Sequence, residues 1–145
     1  MFLRKKRMAG RFLEPAVFEA NLKRQLELAP LTLSELQKHG VSPDSQLRLE
    51  FFFYAMSTAY AQALEAALNE MAYQVQTGPS AHDRRQFLVN GWSTPIHMTR
   101  PSILDWTEKM CRLGFQHDCD FDGWGTLLDQ SQIPGAAPGQ LASGA

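Results

Sequence analysis

A chain of 145 residues that is 44% hydrophobic is long enough to bury a core of its own, and its net charge of −1 gives no general drive toward nucleic acid or an anionic membrane surface. Two cysteines, Cys111 and Cys119, make no disulfide framework and read as reduced thiols in a cytosolic protein. No apolar run approaches the ~20 residues of a membrane span, and no apolar stretch follows the basic Arg4-Lys5-Lys6-Arg7 as it would in a secretory leader.

Residues 1–45 read as a basic start and a helical arm. Pro15 suits a first helical turn, and Phe18, Leu22, Leu26 and Ala29 recur at helical spacing. Pro30 is expected to stop that helix. A second, short one should start at Thr32, with Glu35 completing a capping box and Leu31 and Leu36 a hydrophobic staple. Gly40 then closes it. The two apolar faces would lie on the rest of the protein or mediate self-association, since a lone helix of this length is marginal in water.

Residues 46–128 read as β-α-β-β-α-β. Gln46–Met56 alternates, with Leu47, Leu49, Phe51, Phe53 and Ala55 on one face. Ser57 caps a helix to Met71 whose stripe is Tyr60, Ala63, Leu64, Ala67, Leu68 and Met71. Tyr73, Val75 and Thr77 mark a second strand and Arg85–Gly91 a third. Thr99 or Arg100 caps a second helix over Ile103, Leu104, Thr107, Met110 and Cys111, with Gly114 at its end. Gln116–Asp122 is the last strand. Both helices should cover one face of a four-stranded antiparallel sheet, an α+β sandwich preceded by the arm. Residues 129–145 read as a flexible tail, and beyond Ser131 they hold no charged group.

The segment Asp118-Cys119-Asp120-Phe121-Asp122-Gly123-Trp124-Gly125 carries the candidate chemistry. At period two it is a strand with Asp118, Asp120 and Asp122 on one face, either a solvated edge or a stripe offered to a basic partner. Asp118, Asp120, Asp122, Gly123 and Asp129 also fit the start, turn and end of a calcium loop. Against this, position twelve is the short Asp129 and Gln130-Ser131-Gln132-Ile133-Pro134 cannot form the exit helix, so no metal or other cofactor is expected. Trp124, freed by flanking glycines, reads first as a core plug and second as a binding anchor. His39, His82, His97 and His117 do not converge at zinc spacing. No nucleophile elbow or phosphate loop is present, and an enzyme is not expected.

Leu47-Arg48-Leu49-Glu50-Phe51-Phe52-Phe53-Tyr54-Ala55, Met71-Ala72-Tyr73-Gln74-Val75 and above all Phe121-Asp122-Gly123-Trp124-Gly125-Thr126 resemble the ribonuclease E inhibitor family, regulator of ribonuclease activity B, over residues 46–128. The resemblance implies a ferredoxin-like sandwich in a bacterial, cytoplasmic protein that binds the RNA-degrading endonuclease and lowers its activity without being an enzyme. The partner would be ribonuclease E or another nuclease, with Asp118, Asp120, Asp122 and Trp124 as partner-binding candidates. The chain departs from the family's acidic character in its near-neutral charge, basic start and uncharged tail. Two alternatives stay open: an immunity or antitoxin-like inhibitor of another toxin or nuclease, and an RNA-binding module using Phe52, Tyr54 or Trp92 as stacking platforms. The acidic strand weighs against direct nucleic-acid binding.

Overall fold

The computed structural model describes residues 11–135. The basic cluster at Arg4–Arg7 and the end of the tail lie outside them. The first element is a single helix, α1, Pro15–Lys38, rather than two helices parted at Pro30. An interior proline costs ~3 kcal/mol because it deletes one hydrogen bond and crowds the carbonyl four residues back. Here Phe18, Leu22, Gln25, Ala29 and Leu33 form one buried stripe that runs past the proline. Burying a large apolar side chain contributes roughly 1.5–3 kcal/mol, so carrying the helix on to bury Leu33, with Leu36 packed against the core, offsets the break. Thr32 does not cap; its hydroxyl lies 3.4 Å from the Leu28 carbonyl inside the helix. Gly40, at φ 98°, ends it as its sequence suggests.

The remaining elements are β1 (Gln46–Leu47), β2 (Glu50–Ala55), α2 (Thr58–Glu70), β3 (Gln74–Pro79), β4 (Phe87–Trp92), β5 (Ile96–His97), α3 (Arg100–Gln116) and β6 (Cys119–Gly125). The main sheet has the order β3-β4-β2-β6, and every neighbouring pair is antiparallel. The expected strand 46–56 is interrupted at Arg48 and Leu49, so β1 pairs with β5 in a small sheet of its own. Side chains take over the ladder at that break. Gln130 Oε1 accepts from Arg48 N at 2.7 Å, Ser93 Oγ accepts from Leu49 N at 2.9 Å, and Thr126 Oγ1 donates to the Arg48 carbonyl at 2.6 Å.

Alternation decides which face is buried. Leu49, Phe51, Phe53 and Ala55 are wholly buried with Val89, Cys119 and Phe121, while Glu50, Phe52 and Tyr54 sit half-buried on the opposite face. Both helices cover the first face, their starts fixed by caps: Ser57 Oγ accepts from Ala59 N and Tyr60 N, and Thr99 Oγ1 from Ser102 N. On α2 the buried residues are Ala61, Leu64 and Leu68, whereas Tyr60 and Met71 of the expected stripe are 46% and 41% exposed. The helix is therefore rotated, with part of its apolar flank left uncovered. α3 approaches the sheet closely at Gly114, where a Cβ would stand 2.7 Å from the Cys119 carbonyl and 2.9 Å from the Phe53 ring. α1 lies along α3, and Phe18 stacks on Phe115 at 4.4 Å.

Two corrections concern the C-terminal third. α3 does not stop at Gly114 but runs to Gln116, and Asp118, at φ 56°, takes the left-handed position that turns the chain into β6. The fold also reaches past residue 129: Asp129 caps the short turn Gln130–Gln132, and Ile133 is 3% exposed.

Candidate partner-binding surface

Of the three aspartates placed on one strand face, Asp118 is not on it. It is 4% exposed and lies before β6. Its Oδ2 accepts from Phe12 N and its Oδ1 from Leu13 N, both at 2.8 Å, with Arg11 Nη2 3.5 Å from Oδ1. Arg11 also donates to the Phe115 carbonyl at 2.6 Å and holds its guanidinium 4.3 Å from the Phe115 ring centroid. Asp118 thus pins the segment entering α1 to the end of α3. Its partners lie more than a hundred residues away in the chain, where no local pattern reveals them.

Asp120 and Asp122 do belong to β6. Register sets Asp120 beside Tyr54, while Phe53 pairs with Phe121 and Phe52 with Gly123, so Asp122 is the extra residue of a β-bulge. Gly123, at φ 122°, supplies the backbone angle the bulge needs. The bulge reverses the alternation beyond it. Without it Trp124 would share a face with Asp120; with it Trp124 pairs with Phe51 and turns toward the helices. There it is half-buried against the core, edge-on to Trp106 at 6.2 Å. Trp106 in turn donates to the Tyr73 hydroxyl at 3.0 Å.

The face away from the helices presents Phe52 and Tyr54 in the centre, with Glu50, Asp120 and Asp122 around them. Burial raises the Glu50 carboxyl pKa above its ordinary value, a hydrogen bond to Asn90 working against it. Burial also raises that of Asp120, with the Asp122 charge adding to the rise and Arg24 opposing it. Asn21 on α1 donates to Asp120 Oδ1 at 3.1 Å and to the Phe121 carbonyl at 2.8 Å, which ties the helix along this sheet edge. Trp92 is not a stacking platform. It is 7% exposed, and the terminal segment passes its neighbours: Gln130 bonds at Arg48, and Gly135 lies beside Gln74, the residue paired with Trp92.

On the helix side, a groove of about 610 Å³ runs along α3, bounded by Met71 and Tyr73 after α2 and by the segment around β5. Met71, Tyr73, Ile96, Trp106, Met110 and Leu113 give it apolar walls. On α3, ion pairs Asp105–Lys109 at 3.1 Å and Glu108–Arg112 at 2.8 Å run along the same helix. No local pattern announces this groove, because separate segments of the chain form its walls.

Cys111 and Cys119 are buried, and burial first, nearby carboxylates second, push each thiol up to about 12. Cys119 Sγ lies 3.3 Å from the His117 backbone carbonyl, so the two form no thiol–imidazole pair. Among the described residues no group of three or more His, Cys, Asp or Glu could hold a metal ion, and no helix is long and apolar enough to cross a membrane.

Fold and surface together define an α+β protein whose conspicuous chemistry is a sheet face of aromatics and carboxylates backed by a helical layer. The chain belongs to the family described as regulator of ribonuclease activity B, whose model matches residues 31–126, about two thirds of its length. The match takes in the last third of α1 as well as the sheet. No curated protein sequence matches the chain.

Proposed function

We propose that the protein is a non-enzymatic regulator that docks on a ribonuclease through the open face of its sheet, in a ferredoxin-like arrangement and in the cytoplasm. Membership of the ribonuclease-regulator family supports a protein partner. The observation that carries the docking face is the aromatic centre, Phe52 and Tyr54, ringed by Glu50, Asp120 and Asp122. Half-exposed aromatics supply desolvated contact, and the carboxylates favour a basic surface and speed its approach. The same carboxylates repel phosphate, which separates this face from an RNA-stacking sheet of similar order.

The test is RNA cleavage by a ribonuclease E-type endonuclease with and without the purified chain. Cleavage should fall as the chain is added, and Phe52→Ala with Tyr54→Ala should weaken the effect on the order of tenfold or more, as loss of central aromatic anchors does. Unchanged cleavage at saturating chain would remove the regulator reading. Salt-sensitive binding of the chain to the RNA substrate itself would replace it with the nucleic-acid reading.

A further inference from the structure

The sheet's two edges are treated in opposite ways. β6 is bulged, carries Asp120 and Asp122, and is overlain by α1, whose Asn21 takes up the Phe121 carbonyl. These are the devices that keep an edge from pairing. β3, the other edge, reads Gln74-Val75-Gln76-Thr77-Gly78-Pro79 and carries no charge. The nearest carboxylate, Glu65, accepts from the Thr77 hydroxyl at 2.7 Å. That bond lies on the helix side, out of the plane in which ladder bonds form.

Register identifies the free backbone groups. Ser93 N donates to the Leu49 carbonyl at 2.8 Å, so Phe87, Val89 and Gly91 turn their hydrogen-bonding groups to β2 and the alternate residues Leu88, Asn90 and Trp92 turn theirs to β3. Ser80 N, donating to the Gln86 carbonyl at 3.0 Å, sets the same alternation from the opposite end. Gln74, Gln76 and Gly78 therefore bond to β4, while Val75, Thr77 and Pro79 point outward. Pro79 has no N–H to offer, as suits a proline on an edge. Among the described residues nothing bonds to the backbone of Val75 or Thr77.

We propose that β3 pairs antiparallel with β3 of a second copy of this chain, about a twofold axis through Gln76. In that register Val75 faces the partner's Thr77 and Thr77 the partner's Val75, so every outward N–H and C=O of these residues is satisfied. Shifting the axis to Thr77 sets Val75 against the partner's Pro79 and strands a carbonyl. Shifting it to Val75 sets Thr77 against the partner's Tyr73, and Tyr73 N is already committed to the Leu68 carbonyl at 3.2 Å. The strand is thus complementary to itself in one register, and no charge opposes that pairing at any of its positions. The apolar stripe of α1 is occupied by α3 and β6 within one copy, so that stripe is not free for self-association.

Sedimentation velocity on the full chain over about three decades of concentration tests this, because a dimer's population follows protomer concentration. A concentration-dependent dimer is expected, with the Val75 and Thr77 amides gaining protection from hydrogen exchange as it forms. Val75→Pro deletes an outward donor without touching the internal ladder, and Gln76→Lys sets two ammonium groups side by side at the axis. Each should weaken the dimer by at least ~10-fold while leaving the unfolding midpoint near its starting value. Gln74→Pro, which deletes an inward bond, should instead destabilise the fold. A chain that stays monomeric throughout overturns the proposal. So does a dimer that Gln76→Lys leaves intact, which would place the axis elsewhere.

Discussion

Replacing Asp118 tests whether the entry to α1 is held by one buried carboxylate. Asp118→Ala leaves Phe12 N and Leu13 N without their acceptor, both at 2.8 Å in the intact protein, and Leu13 is itself buried. Hydrogen bonds to a charged group contribute ~1.5–3 kcal/mol each. Alanine at φ 56° adds ~1–2 kcal/mol of backbone strain that aspartate relieves locally. The segment can peel away and let water satisfy its amides, which caps the loss, so about 3 kcal/mol is expected. Asp118→Asn keeps the tolerated backbone angle and one acceptor oxygen, so about half of that loss should remain. Arg11→Ala forfeits the Phe115 carbonyl bond and the ring contact, about 1 kcal/mol. Urea denaturation followed by tryptophan fluorescence gives the three values, and hydrogen exchange at Phe12 and Leu13 localises them. A loss for Asp118→Ala below ~1 kcal/mol, the usual size of one neutral hydrogen bond, with both amides still protected, would refute this account of the anchor.

Trp124→Ala should cost ~2–3 kcal/mol, below the range for a fully buried tryptophan because the ring is half-exposed; a smaller change in denaturation midpoint would mark it as a free binding anchor instead. A Cβ at Gly91 would run into the Gln74 carbonyl and stand 2.9 Å from Val75 Cα. Gly91→Ala is therefore expected to lose on the order of 3 kcal/mol, and a neutral result in calorimetry would mean that β3 yields easily. The thiols of Cys111 and Cys119, pushed up to about 12, should resist iodoacetamide at pH 8 until the protein unfolds. Labelling of the native protein at the rate of an unfolded chain would contradict their burial.

What the sequence made legible was whatever repeats along a single element. Leu49, Phe51, Phe53 and Ala55 announce a buried face by their alternation, and Ser57 and Thr99 announce helix starts by their side-chain chemistry. The family's Asp122-Gly123-Trp124-Gly125 segment was legible too. Illegible were the features set by a second element. Pro30, Thr32 and Glu35 form a convincing local boundary, and only the surface under Phe18 through Leu33 overrides it. The phase of the α2 stripe depends on where the helix docks, since Tyr60 and Leu64 are equally apolar in sequence. Asp118, Asp120 and Asp122 look alike at period two, yet one is a buried anchor, one a tethered edge group and one a bulge residue. Even the side on which Trp124 emerges is fixed by a single extra residue opposite Phe52.

Asp120 shows how a stability measurement can speak to function. Burial and then Asp122 raise its carboxyl pKa above the ordinary 3.8, and burial, the larger influence, acts only in the folded chain. Between the unfolded and folded values the folded protein holds more protons, so stability declines as pH rises through that window and the cost persists at neutral pH. Lowering the pH relieves it. Asparagine in its place keeps an acceptor for Asn21 and has nothing to ionise. Asp120→Asn should therefore unfold at the same or higher denaturant at neutral pH, with a flatter pH dependence above 3.8. A charge retained against stability is what a docking surface requires, since binding and stability are selected separately. The same variant should then associate more slowly with the ribonuclease proposed as its partner, by a margin that shrinks as salt screens the carboxylates. If Asp120→Asn instead destabilises the fold and leaves the association rate unchanged, the charge serves the contact with α1, and the proposed docking face would rest on Phe52, Tyr54, Glu50 and Asp122 without it.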